Sequence, residues 1–220
     1  MLTNFNLIEF ISIIVPLLFA VTAHEYAHGY VAFILGDATA KNAGRLSLNP
    51  VRHLDMVGSF ILPLILKLSG TPILFGYAKP VPVNFSNLRN FRSGTLWVAS
   101  AGVITNFALA LASAALFQGI LHLQPLWQDM ILQPVILFLL KLFAYSIMIN
   151  LVLAIFNLIP IPPLDGGRIL TVLLPMHIRQ KFTRIEPFGF MILILLLLTN
   201  SLDLLITFFI TPLINLLLGA

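Results

Sequence analysis

The chain has 220 residues, of which 59% are hydrophobic and 9% are charged, whereas an average soluble domain has roughly 25% charged residues. Together with a mean hydropathy of +1.01, this composition excludes a soluble fold, and the length leaves no room for a second folded module. The formal net charge of +4 comes from basic residues scattered over short loops without a basic face, so we expect no nucleic-acid partner.

Apolar runs divide the chain into successive segments. They cover residues 7–35, 56–68, 95–121, 135–159, 187–199 and 204–218. A helix needs about 20 residues to cross a hydrocarbon core of about 30 Å, so three runs are long enough, one is short and the last two are marginal. The pattern predicts a single all-α polytopic membrane domain over residues 1–220, with about five to six membrane segments. We expect a three-helix core at about 7–168 and accessory C-terminal helices at about 185–218.

The distribution of Lys and Arg predicts how these segments are oriented. Positive residues cluster at 41–52, 79–92 and 168–184, while the connections around Asp129 and Asp203 contain none. The positive-inside rule therefore places the three basic loops in the cytoplasm. The first two loops share a side only if the 56–68 run is re-entrant or interfacial, which gives five crossings with the N-terminus outside. Because the N-terminus has no basic region, we expect a retained first helix rather than a signal peptide.

The segment 76–84, with the sequence GYAKPVPVN, has proline at alternate positions. Proline at this spacing argues against a helix, and the residues around it favour extended chain, so the segment predicts an edge strand or hairpin. An edge strand could hold an extended substrate by strand addition. An interfacial turn is equally compatible with the sequence.

The first apolar run contains His24-Glu25-Tyr26-Ala27-His28, the HExxH pattern. Residues four apart share one helix face about 6 Å apart along the axis, so both imidazoles can bind one metal ion with Glu25 beside it. Two histidines and a carboxylate in a membrane helix are costly unless they face a polar site. The alternative is a polar contact between helices or an interfacial helix end. The chain has no cysteine, so histidine and carboxylate must supply any metal ligands.

A catalytic zinc ion has three protein ligands, so a third must come from elsewhere in the chain. Glu9 lies about four turns away on the same helix and is beyond reach. The remaining candidates are Asp37, His53, Asp55 and Asp165. Asp165 is the best placed, because it follows the helix-breaking run 160–163 at the cytoplasmic end of its helix, and two glycines after it allow a tight approach. A helix N-cap is its alternative role, and capping is the favoured role for His53 and Asp55.

The run NLIPIPPLDG at 157–166 and the run GVITN at 102–106 accompany the HExxH motif. Together these NxxPxxxLDG and GxxxN elements resemble the site-2 protease family of intramembrane zinc metalloproteases over about residues 7–168. The chain is similar to the small bacterial members, and it has no room for the PDZ or CBS domain of other members. The resemblance covers the whole predicted three-helix core and implies that this core is catalytic.

The resemblance implies a set of site residues. One zinc ion per chain is held by His24, His28 and Asp165, with Glu25 as the catalytic base. Substrate-binding or ligand-supporting roles fall to Gly102, Asn106 and Asn157. Packing between helices is the alternative for Asn106, and Arg168 is expected to anchor its loop to lipid headgroups.

These features predict an intramembrane zinc metalloendopeptidase that hydrolyses transmembrane segments of membrane proteins in regulated intramembrane proteolysis. Its substrate is a transmembrane-segment protein, and the lipid bilayer surrounds it. The expected location is multi-pass in a bacterial cell membrane, with the active site toward the cytoplasmic side and a cavity open to the cytoplasm. A metal or ion transporter and a catalytically silent membrane adaptor are the alternatives. The sequence defines no oligomeric state.

Overall fold

The computed structural model describes residues 6–61, 65, 76–184, 186–199, 204 and 206–219 of the chain. Every regular element in these ranges is helical. The α-helices are α1 (Leu7–Ile34), α2 (Thr39–Asn42), α3 (Phe91–His122), α4 (Gln124–Trp127), α5 (Gln133–Asn157), α6 (Asp165–Leu173), α7 (Met176–Thr183), α8 (Glu186–Leu198) and α9 (Thr211–Leu218). Short 3-10 or π-helical turns lie at Pro50–His53, Met56–Ile61, Phe85–Asn87 and Ile206–Ile210.

Three helices, α1, α3 and α5, are long and apolar enough to cross a membrane, with 28, 32 and 25 residues. The protein is therefore an integral membrane protein, as its composition predicts. Helices α8 and α9 are apolar but shorter. The number of crossings and the cytoplasmic side stay predictions from the sequence.

The ends of the long helices follow from their sequences. Asn6 caps α1, since its Oδ1 accepts hydrogen bonds from two backbone N–H groups of the first turn at 3.1 and 3.2 Å. Asn90 caps α3 through a 3.0 Å bond from the N–H of Ser93. Helix α5 ends at Asn157, just before the run Pro160–Pro163, which cannot continue a helix. The chain therefore turns at this point and begins α6 at Asp165.

The three long helices contact one another pairwise and form the core. Small residues of α3, Ala110 and Ala114, pack against Ile147 and Leu151 of α5, with Ile210 on the same cluster. Small side chains let helix backbones approach closely, which is how membrane helices gain dispersion energy without a hydrophobic driving force. The site described below lies on the faces that α1, α3 and α5 turn toward one another.

The segment 76–84 is not a strand, so the prediction of an edge strand or hairpin is wrong. Pro80 and Pro82 have no N–H and cannot join a ladder. The N–H of Lys79 donates to the carbonyl of His53 at 2.9 Å, and the N–H of Val81 donates to the carboxylate of Glu25 at 2.7 Å. The backbone donors are therefore satisfied by a loop and a side chain rather than by another strand.

The predicted re-entrant run 56–68 is described only at its start and at residue 65. Met56–Ile61 forms a single π-helical stretch. Asp55 precedes it, and its Oδ1 accepts hydrogen bonds from the N–H groups of Val57 and Gly58 at 3.0 and 2.8 Å. The capping role of Asp55 is confirmed, whereas the re-entrant path of the remaining run lies outside the described residues.

Candidate metal centre

Helix α1 supplies two of the predicted ligands. His24 and His28 lie one turn apart with relative exposures of 7% and 9%. Their Nε2 atoms approach to 3.0 Å, and the two rings meet edge to face with centroids 4.6 Å apart. The HExxH spacing therefore brings both imidazoles to one point, as the sequence predicts.

Asp165 is the third member of this cluster. Its Oδ2 lies 3.3 Å from Nε2 of His24 and 3.2 Å from Nε2 of His28. The three ligand atoms lie within 4.8 Å of one another. The glycines after Asp165 permit this approach, because a Cβ at Gly166 would collide with the carbonyl oxygen of Leu158, and one at Gly167 would lie 2.5 Å from the backbone nitrogen of Pro162.

The other candidate ligands lie elsewhere. Asp37 accepts hydrogen bonds from the loop that follows Val81, and His53 places its Nε2 at 2.7 Å from the carbonyl oxygen of Ser47. Asp55 caps a helical turn. Among the residues that the structure describes, the one group of three metal-ligating side chains is His24, His28 and Asp165.

A chain of amides fixes which nitrogen of His24 carries the proton. Asn106, on α3, donates from Nδ2 to the carbonyl of Ala20 at 3.4 Å and to Oδ1 of Asn150 at 2.8 Å. Its Oδ1 therefore faces Nδ1 of His24, 2.5 Å away. Because that oxygen can only accept, Nδ1 is the donor and Nε2 of His24 keeps its lone pair. This arrangement is the usual way in which outer residues orient a metal-binding histidine.

The same hydrogen-bond chain continues beyond Asn106. Asn150, on α5, donates from Nδ2 to the carbonyl oxygen of Ser146 at 2.9 Å, which fixes its own amide orientation. The hydroxyl of Ser146 in turn lies 2.8 Å from the hydroxyl of Ser113 on α3. Asn106 and Asn150 are both fully buried.

A backbone carbonyl fixes His28 in the same way. Its Nδ1 lies 2.6 Å from the carbonyl oxygen of Val98 on α3. A carbonyl can only accept, so Nδ1–H is the donor and Nε2 again presents a lone pair. Both Nε2 atoms therefore face each other, and face the Asp165 carboxylate, as acceptors.

This donor set fits a zinc ion. Oδ2 of Asp165 is buried and accepts no hydrogen bond from the described residues. Three acceptors that converge without a proton between them repel one another unless a cation joins them. Two imidazoles and one carboxylate match a catalytic zinc site with an open position.

Gly102 provides the space for the histidines. A Cβ at this position of α3 would lie 2.5 Å from Cε1 of His24 and 2.5 Å from Nε2 of His28. The GxxxN element therefore combines a gap at Gly102 with a hydrogen-bonding amide at Asn106, one turn further along the same helix.

A cavity of about 120 Å³ adjoins the cluster. Glu25, Val81 and Asn157 contribute to its walls, together with Arg168 at its exposed side. The Arg168 guanidinium lies over the ring of Phe85, 5.0 Å from the centroid. Sequence reasoning assigned Arg168 to lipid headgroups and did not identify this position. It also missed Val81, because a contact made by a backbone N–H leaves no signal in residue type.

Three helices long and apolar enough to cross a membrane, with a cluster of two histidines and one aspartate between them, are what a membrane zinc metalloprotease requires. The chain matches peptidase family M50 over residues 12–199 and belongs to this family, the family of site-2 proteases. The resemblance stated from the sequence is therefore confirmed.

Three relatives of the chain are also described as zinc metalloproteases. The chain is 38% identical over 187 residues to "Putative zinc metalloprotease YwhC" of Bacillus subtilis (strain 168), covering 85% of this chain and 80% of that protein. It is 26% identical to "Putative zinc metalloprotease Rip2" of Mycolicibacterium smegmatis and 28% identical to the protein of the same name from Mycobacterium tuberculosis. Both alignments cover 88% of this chain and 69% of the relative. No solved structure matches the chain.

Proposed function

We propose that the protein is a zinc-dependent endopeptidase that cuts transmembrane segments of other membrane proteins within or close to the bilayer. The observation that carries the proposal is the convergence of three acceptor atoms, Nε2 of His24, Nε2 of His28 and Oδ2 of Asp165. The Nδ1 atoms face Oδ1 of Asn106 and the carbonyl oxygen of Val98, so the neutral tautomers leave no donor among the three atoms, which is typical of a cation site. Membership of peptidase family M50 supports peptide-bond hydrolysis as the reaction.

In this proposal each site residue has a role. His24, His28 and Asp165 hold one zinc ion per chain, which supplies an activated water and polarises the scissile carbonyl. Glu25 is the general base: Oε1 accepts a proton from the attacking water and later delivers it to the leaving amine. The other carboxylate oxygen, Oε2, is occupied by the N–H of Val81.

Asn157 is proposed to contact the substrate. Its Nδ2 donates to the carbonyl oxygen of Leu153 at 2.9 Å, so its amide orientation is fixed. Its Oδ1 then faces away from its own helix and, among the described residues, receives no hydrogen bond. Because Asn157 lies in the cavity wall, this oxygen is available to an N–H group of an extended substrate.

The hydrogen bonding of a membrane helix supports cleavage of an unwound chain. A transmembrane substrate keeps its carbonyls in hydrogen bonds within the helix until it unwinds. We therefore propose that the substrate segment enters as extended backbone, with the active site toward the cytoplasmic side of a bacterial cell membrane.

The proposal is tested with Glu25→Gln. The purified wild type and variant are compared in detergent for bound zinc and for cleavage of a panel of transmembrane peptides. We expect about one zinc ion in each, because the ligands are unchanged, and a loss of cleavage of at least about 100-fold in the variant, because glutamine cannot accept the proton. Glu9→Gln makes the same chemical change at the other end of α1 and is expected to cleave as the wild type does.

Two outcomes would contradict the proposal. Cleavage by Glu25→Gln at the wild-type rate would show that Glu25 is not the general base. Zinc binding by the wild type without cleavage of any peptide would favour a transporter or a silent adaptor.

A further inference from the structure

A backbone N–H group contacts the proposed general base. The N–H of Val81 donates to Oε2 of Glu25 over 2.7 Å. Oε1 of Glu25 receives no hydrogen bond from the described part of the chain. One oxygen of the carboxylate is therefore fixed, and the other is left for a proton from water.

The segment that carries this N–H is fastened on both sides of Val81. Before it, Nη2 of Arg45 donates to the carbonyl oxygens of Lys79 and Pro80 at 2.9 and 3.4 Å. After it, the N–H of Asn84 donates to Oδ2 of Asp37 at 2.7 Å. The segment is thus held against the loop that follows α1, which is the helix that contains Glu25.

The side chain of Val81 is seated on the same helix. It is 7% exposed, and its Cγ1 lies 2.9 Å from the place that a Cβ at Gly29 would occupy. Gly29 follows Glu25 by four residues and so lies on the same face of α1. Glycine at this position admits the valine and brings the backbone of residue 81 close to the carboxylate.

The Pro80-Val81-Pro82 sequence favours a hydrogen bond from the backbone of residue 81 to Glu25. Each proline fixes φ near −65° and removes an N–H, so the three residues present a single donor. That donor is the N–H that contacts Glu25. The alternating prolines, which do not form the strand that their spacing predicts, leave a rigid loop with one N–H.

We propose that Val81 is a positioning residue for catalysis, acting through its backbone N–H on the Glu25 carboxylate. The inference rests on the proposed role of Glu25. A glutamate side chain has several rotamers, and the hydrogen bond to Oε2 restricts the carboxylate to those in which Oε2 meets Val81 and Oε1 is left free. The loss of this bond lowers the rate of the chemical step without removing a contact to zinc or to substrate.

The test replaces Val81 by its α-hydroxy acid, which turns the amide into an ester and removes the N–H while keeping the valine side chain. We expect kcat to fall by about 10- to 100-fold, the usual effect of losing one hydrogen bond to a charged group. KM and bound zinc should stay near the wild-type values. The same ester at Val83, whose N–H has no partner among the described residues, is the matched control.

Val81→Pro removes the same donor by ordinary mutagenesis, and Val81→Ala, which retains it, should lose much less activity than Val81→Pro.

The outcomes separate this inference from the proposed function. If the wild type cleaves and Glu25→Gln does not, but the ester at Val81 keeps the wild-type kcat, the positioning role is wrong and the proposed function stands. An increase in kcat would also overturn it, because the segment would then restrain the base. If the wild type itself does not cleave, the proposed function fails first. A fall in bound zinc equal to the fall in kcat would show a structural effect instead and would count against the inference.

Discussion

A methyl group at position 102 would lie 2.5 Å from Cε1 of His24 and 2.5 Å from Nε2 of His28. Gly102→Ala should therefore displace both imidazoles and lower zinc affinity by at least about tenfold, the range seen when support for metal ligands is disturbed. Competition with a chelator of known affinity measures the change. Gly119→Ala is the control on the same helix, because its Cβ would meet no atom within 4 Å. Unchanged zinc affinity in Gly102→Ala would mean that the histidines do not bind the metal in this arrangement.

The sequence motifs predict that His24 binds a metal ion, but they do not predict which of its ring nitrogens carries the proton. The GxxxN element singles out Asn106, and its position on the helix predicts that it can support a ligand. The position of the proton on His24 depends on how the side-chain amides of Asn106 and Asn150 are oriented. Asn106 donates to the carbonyl oxygen of Ala20, and Asn150 donates to the carbonyl oxygen of Ser146. The Asn150–Ser146 contact is made within α5. The contacts of Asn106 with Ala20 and with Asn150 arise only when three helices are packed, so no spacing within one helix predicts them.

At the scale of elements, Asp37 ties the end of α1 to the segment that follows residue 83. Its carboxylate accepts hydrogen bonds from the N–H of Asn84 at 2.7 Å and from Nδ2 of Asn87 at 2.9 Å, and others from Thr39. Burial acts to raise the pKa of Asp37, but these bonds outweigh it and hold the pKa below its ordinary value. The ionised carboxylate thus stabilises the fold above the unfolded-state pKa of about 3.9, and this contribution is lost as pH falls through the folded-state pKa.

Asp37→Asn should lower the free energy of unfolding by about 2 kcal/mol at pH 7, because an amide cannot accept bonds at both positions. The difference from the wild type should shrink as pH falls below about 4, where the unfolded-state carboxylate takes up a proton, and should vanish below the lowered folded-state pKa. Thermal unfolding in detergent at several pH values measures it. Asp129→Asn, at an exposed position in a loop, is the control and should match the wild type throughout. A difference that is independent of pH would assign the effect to packing.

The segment 76–84 is where the sequence prediction fails at this scale. Alternating prolines are compatible with an edge strand and with an extended loop. The choice depends on the partners of the intervening N–H groups, and these come from distant parts of the chain: His53 for Lys79 and Glu25 for Val81. Local propensity carries no information about partners that lie 26 or 56 residues away.

At the scale of the whole molecule, the predicted ligands join two separate parts of the chain. His24 and His28 belong to α1, while Asp165 lies at the start of α6, after α5 has ended. The long apolar runs predict the three long helices because helix length in a membrane is a local property. The approach of Asp165 to α1 was predictable from motif order and the glycine pair, but the tertiary contacts that hold it were not.

Removal of zinc should therefore destabilise the whole molecule. A ligand that binds the folded state at 100 times its Kd contributes about 2.7 kcal/mol, so a strong chelator should lower the Tm of the wild type and added zinc should restore it. His28→Ala, which lacks one ligand, should respond much less to the chelator. An equal response in both proteins would show that the chelator acts elsewhere.

The polar chain from Asn106 through Asn150 to Ser146 and Ser113 crosses between α3 and α5 at two levels. These groups lie inside helices that cross the membrane, where an unpaired polar group costs several kcal/mol. Sliding α5 along α3 by one turn would separate Asn150 from Asn106 and Ser146 from Ser113 together. Apolar side chains alone would tolerate several alignments of the two helices, so the polar chain sets their register during assembly.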